Sequence, residues 1–175
     1  MLGIDSSEKM LAIAKSTTND KAINYQCVSI QDVNIPSLSF NLIVSSLALH
    51  YIDNYFDVVK KVYNGLKKNG YFIFSVEHPI CTAHATCEAI KDNEKIIWPI
   101  TNYRDEKLFH QTWFVDNVAK YHRKLETYLN CLITAGFTIE KIAEPMPNDE
   151  QIAQRPDLGI HKIRPPLLMV SAKKI

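Results

Sequence analysis

FNLIVSSLAL (residues 40–49) carries the strongest buried-strand signal in the chain. Leu42, Ile43 and Val44 form a continuous apolar run, the pattern of a strand covered on both faces. Next comes a helical period over residues 55–68, with Phe56, Val59, Val62 and Leu66 on one face. Lys67 and Lys68 suit the negative end of that helix, and Gly70 is placed as its stop. YFIFSV (71–76) returns to a strand pattern. Upstream, LGID (2–5) reads as the end of another buried strand. Ser6 and Ser7 are capping types, Glu8 follows Asp5 at capping-box spacing, and residues 8–15 read as a helix. Residues 25–30 form the next strand candidate, and 31–38 a polar loop with Pro36.

Downstream of His78-Pro79 the periodicity fades. Residues 80–111 mix polar, aromatic and proline residues and read as an excursion, with 113–122 extended. Leu125, Tyr128, Leu129 and Leu132 restore helical spacing, and Gly136 is placed as the C′ residue. Residues 137–143 and 166–172 read as strands separated by a loop or short helix. The order predicts an α/β fold. It is a doubly wound sheet, mostly parallel, with helices on both faces and an antiparallel C-terminal hairpin.

The 175 residues suit one domain, and 46% apolar residues suffice for a core. Twenty basic against nineteen acidic residues leave a net charge of +1, which argues against nucleic-acid binding through a broad basic field. No uninterrupted apolar run is long enough to span a membrane, and the N-terminus lacks signal-peptide order. The expected location is cytoplasmic, with Cys27, Cys81, Cys87 and Cys131 as thiols. No two of the five glycines lie within four residues of each other, which excludes GxGxxG and the P-loop from this sequence.

Four passages in order carry a family resemblance: GIDSSEKML (3–11), FNLIVSSLALHY (40–51), LKKNGYFIFS (66–75) and AGF (135–137). They resemble the second strand and turn, the fourth strand, the entry to the fifth strand and the turn before the sixth in class I S-adenosylmethionine (SAM) methyltransferases. The resemblance implies a Rossmann-like sheet, SAM as cofactor and in-line methyl transfer to an acceptor. SVEHPI (75–80) and the passage around His122 resemble a small-molecule subgroup, so the implied partner is a small-molecule acceptor, with neither nucleic acid nor membrane.

The resemblance also implies roles. Asp5, at the carboxyl end of a strand, is expected to accept hydrogen bonds from both ribose hydroxyls, which an ionised carboxylate does better than a neutral side chain. The competing reading of Asp5 is a helix cap. Ser6 and Met10 are expected beside the adenine, although a plain core role competes for Met10. Ser29, Ile30 and Gln31 fall in the adenine loop, where Ser29 replaces the family's usual acid. Ser45, Ser46 and Leu47 are expected beside the methionine portion. Glu77, His78 and His122 are expected on the substrate side, with loop ordering as the alternative for His78 and capping or packing for His122. A base is needed only if the acceptor must lose a proton.

The family opens with a strand and a glycine-rich loop ahead of the passage matched by residues 3–11. The expectation is therefore a single methyltransferase domain over 1–175, N-terminally truncated, with 80–122 as a substrate-side lid and with activity in doubt. Two other classes compete. His78, Cys81, His84 and Cys87 recur every third residue and are all zinc-competent, yet one short loop would have to wrap the ion unaided. A non-catalytic remnant or partner subunit would instead use Trp98, Tyr103, Phe109, Trp113 and Phe114 as an interface. In the family context these aromatic residues are expected to roof a substrate pocket.

Overall fold

The computed structural model describes every residue except 84–88, 94 and 113–115, with residue 91 described by its backbone alone. The chain divides into two compact units, Met1–Pro36 and Ser37–Ile175.

In the first unit, β1 (Leu2–Asp5) pairs in parallel with β2 (Asn24–Cys27), with Asp5 opposite Cys27. The helix α1 (Glu8–Thr17) makes the crossover. Its N-cap is Ser7, whose Oγ accepts the Met10 N–H at 3.3 Å. Asp5 Oδ1 accepts the Ser7 N–H at 2.7 Å. The expected Asp5–Glu8 capping box therefore does not form, because Asp5 holds the turn one step before the cap. Leu11 and Val33 are buried.

In chain order the second unit carries β3 (Phe40–Ser46), α2 (Tyr55–Gly65), β4 (Leu66–Glu77), α3 (Pro79–Thr82), β5 (Ile90–Asp92), β6 (Lys95–Ile97), β7 (Leu108–Gln111), β8 (Val118–Tyr121), α4 (Leu125–Ala135), β9 (Phe137–Ala143), α5 (Asp149–Gln154) and β10 (Leu167–Lys174). The main sheet has the order β3-β4-β10-β9. β3 and β4 are parallel, while β10 is antiparallel to both β4 and β9. Three strands therefore point one way and β10 alone reverses. A helical crossover is what allows β3 and β4 to be parallel neighbours. β5–β6 and β7–β8 are antiparallel hairpins within the expected excursion.

Strand alternation sorts the side chains of the main sheet. Phe72, Phe74, Val76, Leu168, Val170 and Ala172 are buried. Tyr55 from α2 and Tyr128 from α4 both meet Phe74, with centroids 6.3 Å from it, and lie 5.0 Å from each other. The Tyr55 hydroxyl donates to the Tyr128 carbonyl at 3.3 Å. Within this unit, then, α2 and α4 share one face. On the opposite face Leu42 and Met169 are exposed, and Val44 is 61% exposed. The expected helical cover on both faces is met on one face by the helices of this unit.

Residues 66–70 correct the sequence reading. The helix was expected to run to residue 68, with Gly70 as its stop, but α2 ends at Gly65 and Leu66 already pairs with Phe40 in β4. The register then shifts so that Leu42 faces Tyr71. Asn69 adopts φ +64° in this irregular stretch. A Cβ on Gly70 would sit 2.9 Å from the Lys67 carbonyl oxygen and 3.1 Å from that of Asn41, so the glycine serves a close backbone approach. Burial of Leu66 at the strand edge outweighs the helical spacing of the run. Gly136 behaves as expected, closing α4 in the left-handed region with φ +101°. Among the described residues, no helix is long and apolar enough to cross a membrane.

Candidate functional site

At the carboxyl ends of β3 and β4 the chain assembles a buried polar cluster. Glu77 ends β4, and both its carboxylate oxygens accept from Lys120 Nζ, at 3.0 and 2.9 Å. Lys120 lies on β8 with only 1% of its surface exposed, and it also donates to Gln111 Oε1 on β7 at 3.1 Å. Burying an ammonium requires this kind of compensation, because an unpaired charge is strongly disfavoured away from water. His50 follows β3 in a short 3₁₀ turn, Leu49–Tyr51. Its Nδ1 accepts the Glu77 N–H at 3.3 Å, which places the ring proton on Nε2, 4.0 Å from Glu77 Oε2. Burial, reinforced by Lys120 and Arg123, lowers the His50 pKa to about 3. His50 is thus a neutral structural acceptor.

Arg123 holds that turn from below. Its guanidinium donates to the carbonyls of Leu49, Ile52 and Asp53 and lies near the rings of Tyr55 and Tyr121. The carboxyl end of β3 is fixed from the other side, where the Leu47 N–H donates to the Ser75 carbonyl at 3.0 Å and Leu47 adopts φ +52°. Ser45 Oγ, next to this turn, is buried and has no hydrogen-bond partner among the described residues. Ser46 and Leu47 are exposed.

His78 and His122 are both tied down. His78 Nε2 lies 2.7 Å from Glu144 Oε1, while its Nδ1 accepts the Ile80 N–H at 3.2 Å and caps α3. His122 Nε2 donates to the Tyr103 carbonyl at 3.0 Å, and its Nδ1 lies 2.7 Å from the Thr82 hydroxyl. Every ring nitrogen of the pair is engaged, which is the loop-ordering geometry. These contacts also leave His78 without a nitrogen for zinc. Cys81 Sγ donates to the Pro165 carbonyl at 3.4 Å, and His84 and Cys87 lie outside the described residues, as do Trp113 and Phe114. Among the described residues, no group of ligands suited to a metal ion forms.

In the first unit, Asp5 stands at the carboxyl end of β1. Oδ1 is committed to Ser7, and Oδ2 has no partner among the described residues. Ser6 and Met10 are exposed, Met10 by 53%, so Met10 is not a core residue. After β2, Ser29 Oγ accepts the Gln31 N–H at 3.1 Å, and Ser29 and Ile30 are half-buried.

Residues 1–74 match the family described as "Methyltransferase domain". A solved S-adenosylmethionine-dependent methyltransferase from Mesorhizobium loti is 41% identical with a TM-score of 0.92, covering 99% of this chain and 80% of that one. The chain belongs to the SAM-dependent methyltransferases. An uncharacterized Haemophilus influenzae protein is 33% identical to this methyltransferase over 184 residues, covering all of this chain and 72% of the relative. The fold is shared more distantly by the 1,6-didemethyltoxoflavin-N1-methyltransferase of Burkholderia thailandensis, at 14% identity and TM-score 0.59, covering 99% of this chain and 60% of that one.

SAM is therefore the cofactor of this methyltransferase, and each unit, taken by itself, carries a polar atom with the chemistry to hydrogen-bond such a ligand. Among the described residues, Asp5 Oδ2 is an unengaged carboxylate oxygen at a strand end of the first unit, and Ser45 Oγ is a buried hydroxyl without a partner in the second. Sequence reasoning singled out Glu77 but missed Lys120, Gln111 and Arg123. Nothing in VAKY (118–121) marks its lysine as buried. Only the pairing of β7 with β8 brings Gln111 and Lys120 beside the end of β4.

Proposed function

We propose that this methyltransferase acts on a small-molecule acceptor bound at the carboxyl edge of β3 and β4, with in-line displacement at the methyl group. The observation that carries the reading is the Glu77–Gln111 pair gathered around the buried Lys120 at the end of β4. In open α/β sheets this edge is where ligands collect, and a paired carboxylate there suits an acceptor's hydroxyl or amine proton.

Asp5 is the ribose anchor in this reading, with Ser6, Met10, Ser29, Ile30 and Gln31 toward adenine and Ser45, Ser46 and Leu47 toward the methionine portion. When bound, SAM supplies an electrophilic methyl group on a sulfonium. The chain's own contribution is to hold the acceptor's nucleophile in line with it, which accounts for much of the rate in such reactions. Glu77 accepts a hydrogen bond from the acceptor and orients it. Lys120 keeps that carboxylate in place. His78 and His122 act as positioning residues, because their ring nitrogens already serve Glu144, Ile80, Thr82 and Tyr103.

The test uses SAM labelled in its methyl group, incubated with the protein and a cell extract. Label in the low-molecular-mass fraction, reduced by Glu77→Gln, supports the reading. Label confined to protein or nucleic acid overturns the acceptor class.

A further inference from the structure

We propose that Arg164, Trp98 and His161 form a binding site for an oxyanion, a carboxylate or phosphate group carried by the methyl acceptor. The proposal rests on the methyltransferase reading for the word acceptor, and on the structure of this cluster for the site itself. Arg164 is 7% exposed, and its guanidinium carbon lies 3.4 Å from the centre of the Trp98 ring. His161 stacks near that ring with a centroid distance of 6.4 Å and an interplanar angle of 13°. Arg164 Nε, Trp98 Nε1 and His161 Nδ1 are all buried, and all lack hydrogen-bond partners among the described residues.

Such a cluster is unusual in a stable fold. Buried polar nitrogens are nearly always partnered, and a buried cation normally has a counter-ion. Among the described residues, no carboxylate pairs with Arg164. The nearby Asp157 is bound by Arg155 through both of its oxygens. Stacking on Trp98 offsets part of the burial of Arg164 but gives its in-plane Nε–H no acceptor. Arginine's in-plane donors match a planar carboxylate or a phosphate, and an indole N–H adds a further donor. Burial, together with Arg164, lowers the His161 pKa, which disfavours a second positive charge beside Arg164.

The position joins this cluster to the reaction edge. Arg164 lies three residues before Leu167, which is opposite Glu77 in the ladder. The Pro166 carbonyl between them accepts the His78 N–H at 2.9 Å. An acidic acceptor held by Arg164 would thus be anchored just ahead of the strand that pairs with the one ending in Glu77.

The experiment follows the indole N–H signal of Trp98, assigned with Trp98→Phe, during titration with sodium malonate, acetate and inorganic phosphate. Ionic strength is held constant with chloride, and SAM is absent. The expected result is a saturable shift with at least one oxyanion, weakened by ~10-fold or more in Arg164→Met and by less in Arg164→Lys. Preference for malonate or acetate over phosphate identifies a carboxylate source, and the reverse a phosphate source. A signal that no oxyanion moves beyond the chloride control overturns the site, as does an Arg164→Met protein that titrates like the parent. SAM binding is measured separately by calorimetry. A failure of the cofactor reading therefore shows there, and a failure of the oxyanion site shows only in the indole titration.

Discussion

Lys120 Nζ reaches both oxygens of Glu77, at 2.9 and 3.0 Å, from a position almost wholly out of solvent. The two residues lie 43 positions apart in the chain, so this contact ties the excursion to the end of β4. Breaking one partner of a buried pair costs about 3 kcal/mol, because the survivor keeps its desolvation penalty. Lys120→Met is predicted to destabilise the fold by that order, and Lys120→Met with Glu77→Gln by less than the sum of the two single changes. Urea denaturation of the four proteins in the cycle measures the coupling.

His50 supplies a pH dependence. Its pKa falls from 6.5 in the unfolded chain to about 3 in the fold, chiefly through burial. Between those values the unfolded state binds the proton and the folded state does not. The resulting stability is fully present above pH 6.5 and is lost as pH falls toward 3, with a slope of up to ~1.4 kcal/mol per pH unit. His50→Gln, which keeps an acceptor for the Glu77 N–H, is predicted to flatten this slope. Stability measured across that range in both proteins checks it, and parallel curves count against the assignment.

Gly136→Ala is predicted to cost about 1–3 kcal/mol. The position has φ +101°, and an added Cβ would lie 3.0 Å from Tyr63 Cζ and Oη. Thermal melting reads the loss. If Tyr63→Ala is added, part of the loss should be recovered, leaving the backbone strain.

Much of the sheet was legible in the sequence because its signals are local. The apolar run at Leu42–Val44 gave β3, and the spacing of Tyr128 and Leu132 before Gly136 gave α4 and its terminus. The Gly70 region misled, because a glycine after a helical period reads as a stop. Its reason here is the nearness of the Asn41 and Lys67 carbonyls, which only the paired strands reveal. Asp5 and Glu77 were accessible as site candidates because they end strands. Lys120, Arg123 and Arg164 were not, since their burial depends on partners brought from distant segments.

The central claim, a SAM site anchored by Asp5, is tested most directly by calorimetric titration of SAM into the parent and Asp5→Asn proteins, with melting temperatures measured alongside. The account predicts a saturable isotherm for the parent. Asp5→Asn should weaken it by roughly 10–100-fold, the value of one charge-assisted hydrogen bond of about 1.5–3 kcal/mol. Melting should be unchanged, because Asn can accept the Ser7 N–H as Asp5 does. Equal affinity in the two proteins, or no binding by the parent, would contradict it.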